Sequence, residues 1–232
     1  MTDPKSKVDS LILSAERGEM PPERAWGEIR RLKDDYVRDY NEQSWHVFIG
    51  NKFQKIVHSI LEGYLKRLKP TDPHFKNLDV LTESEINGNE VIIRKLAVKY
   101  GKYLLLPDTD MAIVDVPFED PWKSEVLAIV SCKTSLRERI AQACYWKLKL
   151  VSSDVTKNVK VFLATTDNDE DFGIRSNARE SFNGRSRNRI IAEHELDGVY
   201  ILRDDFRDEW ESPKVKRYER IFDDLCKIFK RH

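Results

Sequence analysis

The sequence predicts an α/β fold, a central mixed β-sheet flanked by helices and preceded by a helical N-terminal segment. Three observations carry this. Apolar residues recur at helical spacing up to about residue 70, short strand-like apolar runs follow, and helix and strand patterns then alternate to the end. At 232 residues, 40 % of them hydrophobic, the chain can bury one substantial core but is too short for two large domains. The division expected is a helical segment at 1–70 and a core at 71–232.

Pro21-Pro22 opens a predicted helix whose side chains Trp26, Ile29, Leu32, Tyr36 and Tyr40 fall three or four residues apart. A stronger helix is predicted from Trp45 to Leu68, where Phe53, Ile56, Val57, Ile60, Leu61 and Leu65 form a wide apolar stripe ended by Pro70 and Pro73. The turn signal Asn87-Gly88-Asn89 introduces strand-like runs at Val91 to Ile93, Tyr103 to Leu106, Met111 to Val116 and Val126 to Val130. Helix is predicted again from Ser135 to Val151, and strand at Val159 to Thr165 and Gly198 to Leu202. An amphipathic closing helix carries Val215, Tyr218, Ile221, Phe222, Leu225 and Phe229.

Forty basic residues balance forty acidic ones, so any surface that binds a polyanion must be local. Cys132, Cys144 and Cys226, spaced by 12 and 82 residues, match neither a zinc pair nor a secreted disulfide framework, and the first residues hold no apolar leader. A cytoplasmic setting is expected. No phosphate-binding loop, dinucleotide fingerprint or Gly-x-Ser-x-Gly elbow is present, which removes nucleotide hydrolysis, hydride transfer and esterase chemistry from consideration.

Chemistry concentrates on two neighbouring strands. Leu104-Leu105-Leu106-Pro107-Asp108-Thr109-Asp110 leads into Met111-Ala112-Ile113-Val114, and Val126-Leu127-Ala128-Ile129-Val130 ends in Ser131-Cys132-Lys133. A hairpin of these strands brings Asp110 and Lys133 to one sheet edge. A carboxylate can hold a hard cation, and an ammonium can stabilise charge and help orient or deprotonate water, as phosphodiester hydrolysis requires. Taken singly, such a lysine usually reaches water and such an aspartate usually closes a turn.

The run Lys133-Thr134-Ser135-Leu136-Arg137-Glu138-Arg139 resembles the branch of type II restriction endonucleases, within the PD-(D/E)XK superfamily, that recognises CCGG, CCNGG or CCWGG and includes BsaWI, PspGI and EcoRII. The resemblance is clear over residues 104 to 150. It implies a restriction-endonuclease-like core, Mg²⁺ as cofactor, double-stranded DNA as substrate and a homodimer matched to a palindrome. It also implies base reading by Arg137, Glu138 and Arg139: arginine donates to guanine O6 and N7, and glutamate accepts from cytosine N4. Ser135 and Glu138 can alternatively form a capping box.

Ser131 stands where the wider fold places an acid, and the helix after the lysine offers Gln142 rather than a carboxylate. Gln142 is therefore expected as a neutral ligand or water-positioning group beside Asp110 and Lys133. Glu62 is the leading candidate for the second acid, ahead of Glu85, Glu125 and Asp108; Gln54 ranks below Glu62. Metal binding is assigned to Asp110, Glu62 and Cys132. A basic loop at Gly173 to Arg189, with Arg175, Arg179, Arg185, Arg187 and Arg189, is expected to contact DNA or to pair with the acidic run Asp167 to Asp171. The helices of 1–70 would serve dimerisation or clamp the duplex. Two alternatives stay open, a nuclease of this fold that reads DNA shape and a DNA-binding module without catalysis.

Overall fold

The computed structural model describes residues 3–136, 139–174 and 183–229. Helix α1 (Pro4–Glu16) starts at an Asp3 cap whose carboxylate accepts from the Lys5 amide. The single helix expected from Pro22 to Tyr40 is two, α2 (Pro22–Arg31) and α3 (Lys33–Asp39). At Leu32 the amide bonds Ile29 O rather than the carbonyl four residues back, a one-residue tightening that apolar spacing cannot reveal. Helix α4 (Glu42–Leu68) is capped by Asn41, whose side chain accepts from Ser44 N at 2.8 Å. Its 27 residues span about 40 Å. Phe53 is fully buried edge-on against Trp26, with ring centres 5.1 Å apart, a contribution of about 1.5–3 kcal/mol from burial alone.

Strand β1 (Leu78–Thr82) leads into α5 (Glu83–Asn87) and α6 (Glu90–Leu96). The strand expected at Val91 to Ile93 is thus helical. Thr82 and Glu85 form a capping box for α5, and Asn89 caps α6 by accepting from Ile92 N. What reads as one hairpin turn is the end of one helix and the start of the next. Burial of Ile92 and Leu96 then outweighs the β preference of the Val-Ile-Ile run. A two-stranded ribbon follows, β2 (Val98–Tyr100) and β3 (Tyr103–Leu105), then β4 (Met111–Asp115), β5 (Glu125–Lys133), α7 (Arg139–Val151), β6 (Lys160–Thr165), α8 (Arg187–Glu195), β7 (Gly198–Ile201), β8 (Val215–Arg217) and α9 (Ile221–Phe229). Val215 lies in β8 and Tyr218 in a short 3-10 turn, so the closing helix is shorter than expected.

The main sheet has the order β1-β4-β5-β6-β7-β8, antiparallel from β1 to β5 and parallel from β5 to β8. Helices cover both faces. Met111, Ile113 and Val130 face α1 to α4 and α9, whereas Ala112, Val114 and Ile129 face α5 to α8. This explains why the central strands read as continuous apolar runs. The apolar stripe of the 1–70 helices is buried in the same cluster as Met111, Leu127 and Phe162 of the sheet.

Candidate active site

Antiparallel pairing sets Met111 opposite Val130, so one step further the head of β4 lies beside the tail of β5. Asp110 Oδ2 accepts from Cys132 N at 2.6 Å, Lys133 Nζ at 3.1 Å and Ser131 Oγ at 3.4 Å. Its Oδ1 accepts from Gln54 Nε2 of α4 at 2.5 Å. The side chains of Asp110 and Lys133 are only 8 % and 12 % exposed, so the pair is shielded from bulk solvent on most sides. Lys133 Nζ also lies 4.0 Å from Asp108, whose carboxylate accepts from Gln142 Nε2 of α7 at 2.5 Å. Gln54, Asp108, Cys132, Lys133 and Gln142 border a cleft of about 530 Å³ that His46, Asn51 and Arg139 also line, with Asp110 just behind it.

The donors suit a hard divalent cation. Two carboxylates approach one ammonium, and Cys132, which lines the same cleft, can offer its backbone carbonyl, so the donors at hand are oxygens, with Gln54 and Gln142 hydrogen-bonded to the two carboxylates. No group of three or more His, Cys, Asp or Glu gathers for a metal among the described residues, so such a set must include neutral oxygens. Burial, with Asp110 charge beside it, pushes the Cys132 thiol up, and the side chain joins the apolar core. Cys132 can therefore offer a cation its carbonyl oxygen rather than its sulfur.

Glu62 requires correction. It lies eight residues beyond Gln54 on α4, about 12 Å along the axis, and pairs with Lys66 at 2.8 Å. Gln54, ranked below it, is the α4 side chain that touches Asp110. Glu85 is committed to the cap of α5, and Glu125 sits opposite Asp115 at the far end of the hairpin. Asp108 is the second carboxylate that the structure brings to Lys133. Gln142 and Arg139 reach the cleft; Arg137 and Glu138 lie outside the described residues, as do Arg175 and Arg179. Helix α7 starts at Arg139, four residues after Ser135, and the Ser135 hydroxyl donates to Asp169 at 2.9 Å.

Arg189 also requires correction. It sits on α8 rather than in a loop, is fully buried, and spends its guanidinium on Glu193 at 2.9 Å, the Phe172 carbonyl and the Trp210 carbonyl at 2.6 Å. Arg187 at the start of α8 is exposed, and Arg185 lies 3.7 Å from Glu193. Of the acids expected to meet this segment, Asp171 does so among the described residues, its carboxylate accepting from Asn188 Nδ2 at 2.8 Å and its carbonyl from Ser186 Oγ at 2.8 Å, while two others are engaged elsewhere. Asp167 is within 3.8 Å of Arg203 and accepts from the Asp171 and Phe172 amides. Asp169 accepts from Leu136 N at 2.7 Å, and Thr166 Oγ1 donates to Thr134 O, so the loop after β6 staples the segment leaving Lys133. Sequence spacing gave no sign of that staple, because its partners are some thirty residues apart.

Comparison with known proteins follows the same lines. The model of the BsaWI restriction endonuclease type 2 family matches residues 83–224. A protein of Methanocaldococcus jannaschii described as "Putative type II restriction enzyme MjaVIP" is 36 % identical over 231 residues, covering 96 % of this chain and 93 % of that one. "Probable type II restriction enzyme HpyAORF263P" of Helicobacter pylori is 35 % identical over 128 residues, 55 % of this chain and 62 % of its own. Among solved structures, the restriction endonuclease PspGI in complex with substrate DNA superposes over 100 % of this chain and 95 % of that one with a TM-score of 0.52. At 14 % identity that likeness speaks to the fold.

Proposed function

The chain belongs to the BsaWI type 2 restriction endonuclease family, and from that premise we propose that it cuts double-stranded DNA with Mg²⁺ at a palindrome built on CCGG or on CC and GG separated by a base pair. The observation that carries this reading is the approach of Lys133 to both Asp110 and Asp108 in a cleft, four residues ahead of Arg137. When bound by Asp110, Asp108 and the Cys132 carbonyl, a divalent cation supplies positive charge where a phosphodiester accumulates negative charge. Lys133 holds the attacking water and a non-bridging phosphate oxygen. Gln54 and Gln142 lock the rotamers of Asp110 and Asp108, so little reorganisation precedes attack.

Arg137, Glu138 and Arg139 read the CC/GG pairs from the segment stapled by Asp169, while Arg185 and Arg187 contact phosphates. His46 and Asn51 place α4 along the cleft, which suits a clamp role for the 1–70 helices. A two-fold dimer would present one such unit to each half of the palindrome. The cytoplasm would keep the three free thiols reduced.

Plasmid DNA incubated with Mg²⁺ and the purified protein, beside Lys133→Ala and a chelated control, tests this. Discrete fragments whose sequenced ends share a CC…GG core, absent from both controls, are expected. A smear would replace the reading with a shape-reading nuclease, and intact DNA would replace it with a binding module.

A further inference from the structure

Between Val91 and Pro107 the chain carries Arg94, Lys95, Lys99 and Lys102 and no acid, a local positive excess in a chain of zero formal charge. Arg94 is taken by Glu90 at 2.6 Å. Lys99 and Lys102 have no acidic partner among the described residues; the Lys102 ammonium lies 5.3 Å from the Tyr103 ring centre. Both belong to the β2–β3 ribbon, whose strands pair only with each other, Lys99 opposite Leu104 and Tyr100 opposite Tyr103. An isolated ribbon is marginal. This one is moored to α7 by Tyr100, whose hydroxyl meets that of Tyr145 at 2.7 Å and whose ring packs edge-on to Trp146. All of β3 is nonetheless exposed, Tyr103 to 62 % and Leu104 to 66 %. Large apolar side chains grouped in solvent mark a contact surface.

The ribbon runs straight through Leu106-Pro107 into Asp108. Helix α7 links it to the cleft by a second route, with Arg139, Gln142 and Tyr145 exposed in succession and Lys149 set 5.2 Å from the Tyr100 ring. The ten helical steps from Arg139 to Lys149 rise about 15 Å, roughly four to five base pairs of duplex.

We infer that the β2–β3 ribbon is a second DNA-contact element that grips the duplex flanking the cleavage site, an inference that rests on the DNA-cleaving reading above. Lys99 and Lys102 neutralise backbone phosphates, and Leu104, cross-strand from Lys99 and on the face opposite Tyr100, lies against the groove, which a two-stranded ribbon is narrow enough to enter. Charge argues against a second copy as the occupant: strand-to-strand pairing across a two-fold would oppose cationic ribbons, and edge lysines resist such pairing.

The test compares wild type with Lys99→Gln/Lys102→Gln by fluorescence anisotropy in metal-free buffer at several salt concentrations. Duplexes of about 40 and about 10 base pairs are used, the shorter ending about where the ribbon begins. Two lost phosphate contacts lower the slope of log affinity against log salt by about 1.8 per bound copy, and weaken binding about 60-fold at about 0.1 M salt, on the long duplex alone. Matching slopes and affinities on the long duplex overturn the inference, as does an equal loss on both duplexes. A Leu104→Ser variant weakens the long duplex without changing the salt slope. Sedimentation of all three proteins separates the rival: a dimer that dissociates on either substitution makes the ribbon a subunit contact and overturns its role on DNA. Wild type that binds as described but cuts nothing refutes the cleavage reading alone, whereas wild type that cuts while the slopes coincide refutes the ribbon alone.

Discussion

Replacing Arg189 by methionine distinguishes an arginine that holds the fold from one that holds DNA. The substitution keeps most of the side-chain volume and removes the donors, leaving Glu193 and the Phe172 and Trp210 carbonyls short of partners in a site where Arg189 is 0 % exposed. Breaking a buried charged pair by removing one member costs about 3–5 kcal/mol, because the partner stays behind uncompensated. At about 2–4 °C per kcal/mol for a chain of this size, the melting temperature should fall by roughly 6–20 °C. Thermal unfolding followed by far-UV circular dichroism measures this directly, with Arg187→Ala alongside. The exposed Arg187 should leave the melting temperature within about 2 °C and weaken DNA binding instead. A melting temperature for Arg189→Met within about 2 °C of wild type, together with weakened DNA binding, would refute the structural role assigned here and restore the expectation from sequence.

Asp169→Ala removes two hydrogen bonds from the segment between Lys133 and Arg139 and should cost about 1–3 kcal/mol of transition-state stabilisation on the cognate site, seen as lower kcat/KM with near-normal melting; unchanged cleavage and site preference would show that the staple is dispensable. Gln54→Ala should slow cutting about tenfold, from the loss of one hydrogen bond to Asp110, while Glu62→Gln should cut like wild type; the reverse pattern in a plasmid assay would return Glu62 to the site. Burial pushes Asp167 up to about 6, against the opposing pull of the Phe172 and Asp171 amides and of Arg203. Its folded value thus exceeds the unfolded one near 3.8, the folded chain binds more proton between them, and this contribution to stability falls as pH rises from about 4 to about 6. The melting temperature of wild type relative to Asp167→Asn should drop across that window and stay level above it; a gap that is flat or widens with pH would rule the assignment out.

The meeting of Asp110 and Lys133 was legible because a hairpin is a local object: two apolar runs with a short turn specify which ends adjoin, and the β4–β5 register obeys that pattern. Gln54 is hard to rank from sequence for the opposite reason. The contact between Gln54 and Asp110 spans 56 residues, and no periodicity carries it. The Asn87-Gly88-Asn89 signal misled because Asn serves a turn and a helix cap equally well, and the Ile92 burial that decides between them is a tertiary fact. Arg189 misled because five arginines in a row of polar residues look alike until three-dimensional packing hides one of them.

The staple on Thr134 to Leu136 makes the end of β5 a ruler. Lys133 and Arg137 are separated by four peptide links, so their Cα atoms are never more than about 14 Å apart, and the intervening backbone is pinned at Thr134 by Thr166 and at Leu136 by Asp169. On the proposed reading, in which Arg137 meets bases and Lys133 the phosphate, the distance between reading and cutting is then bounded by this short pinned tether. A change of recognised bases that alters side chains alone keeps the cut at the same offset, whereas one inserted residue in this tether displaces reader and blade relative to each other by about a base-pair rise. On that reading, diversification is channelled into which bases are met, and away from where the strand is cut.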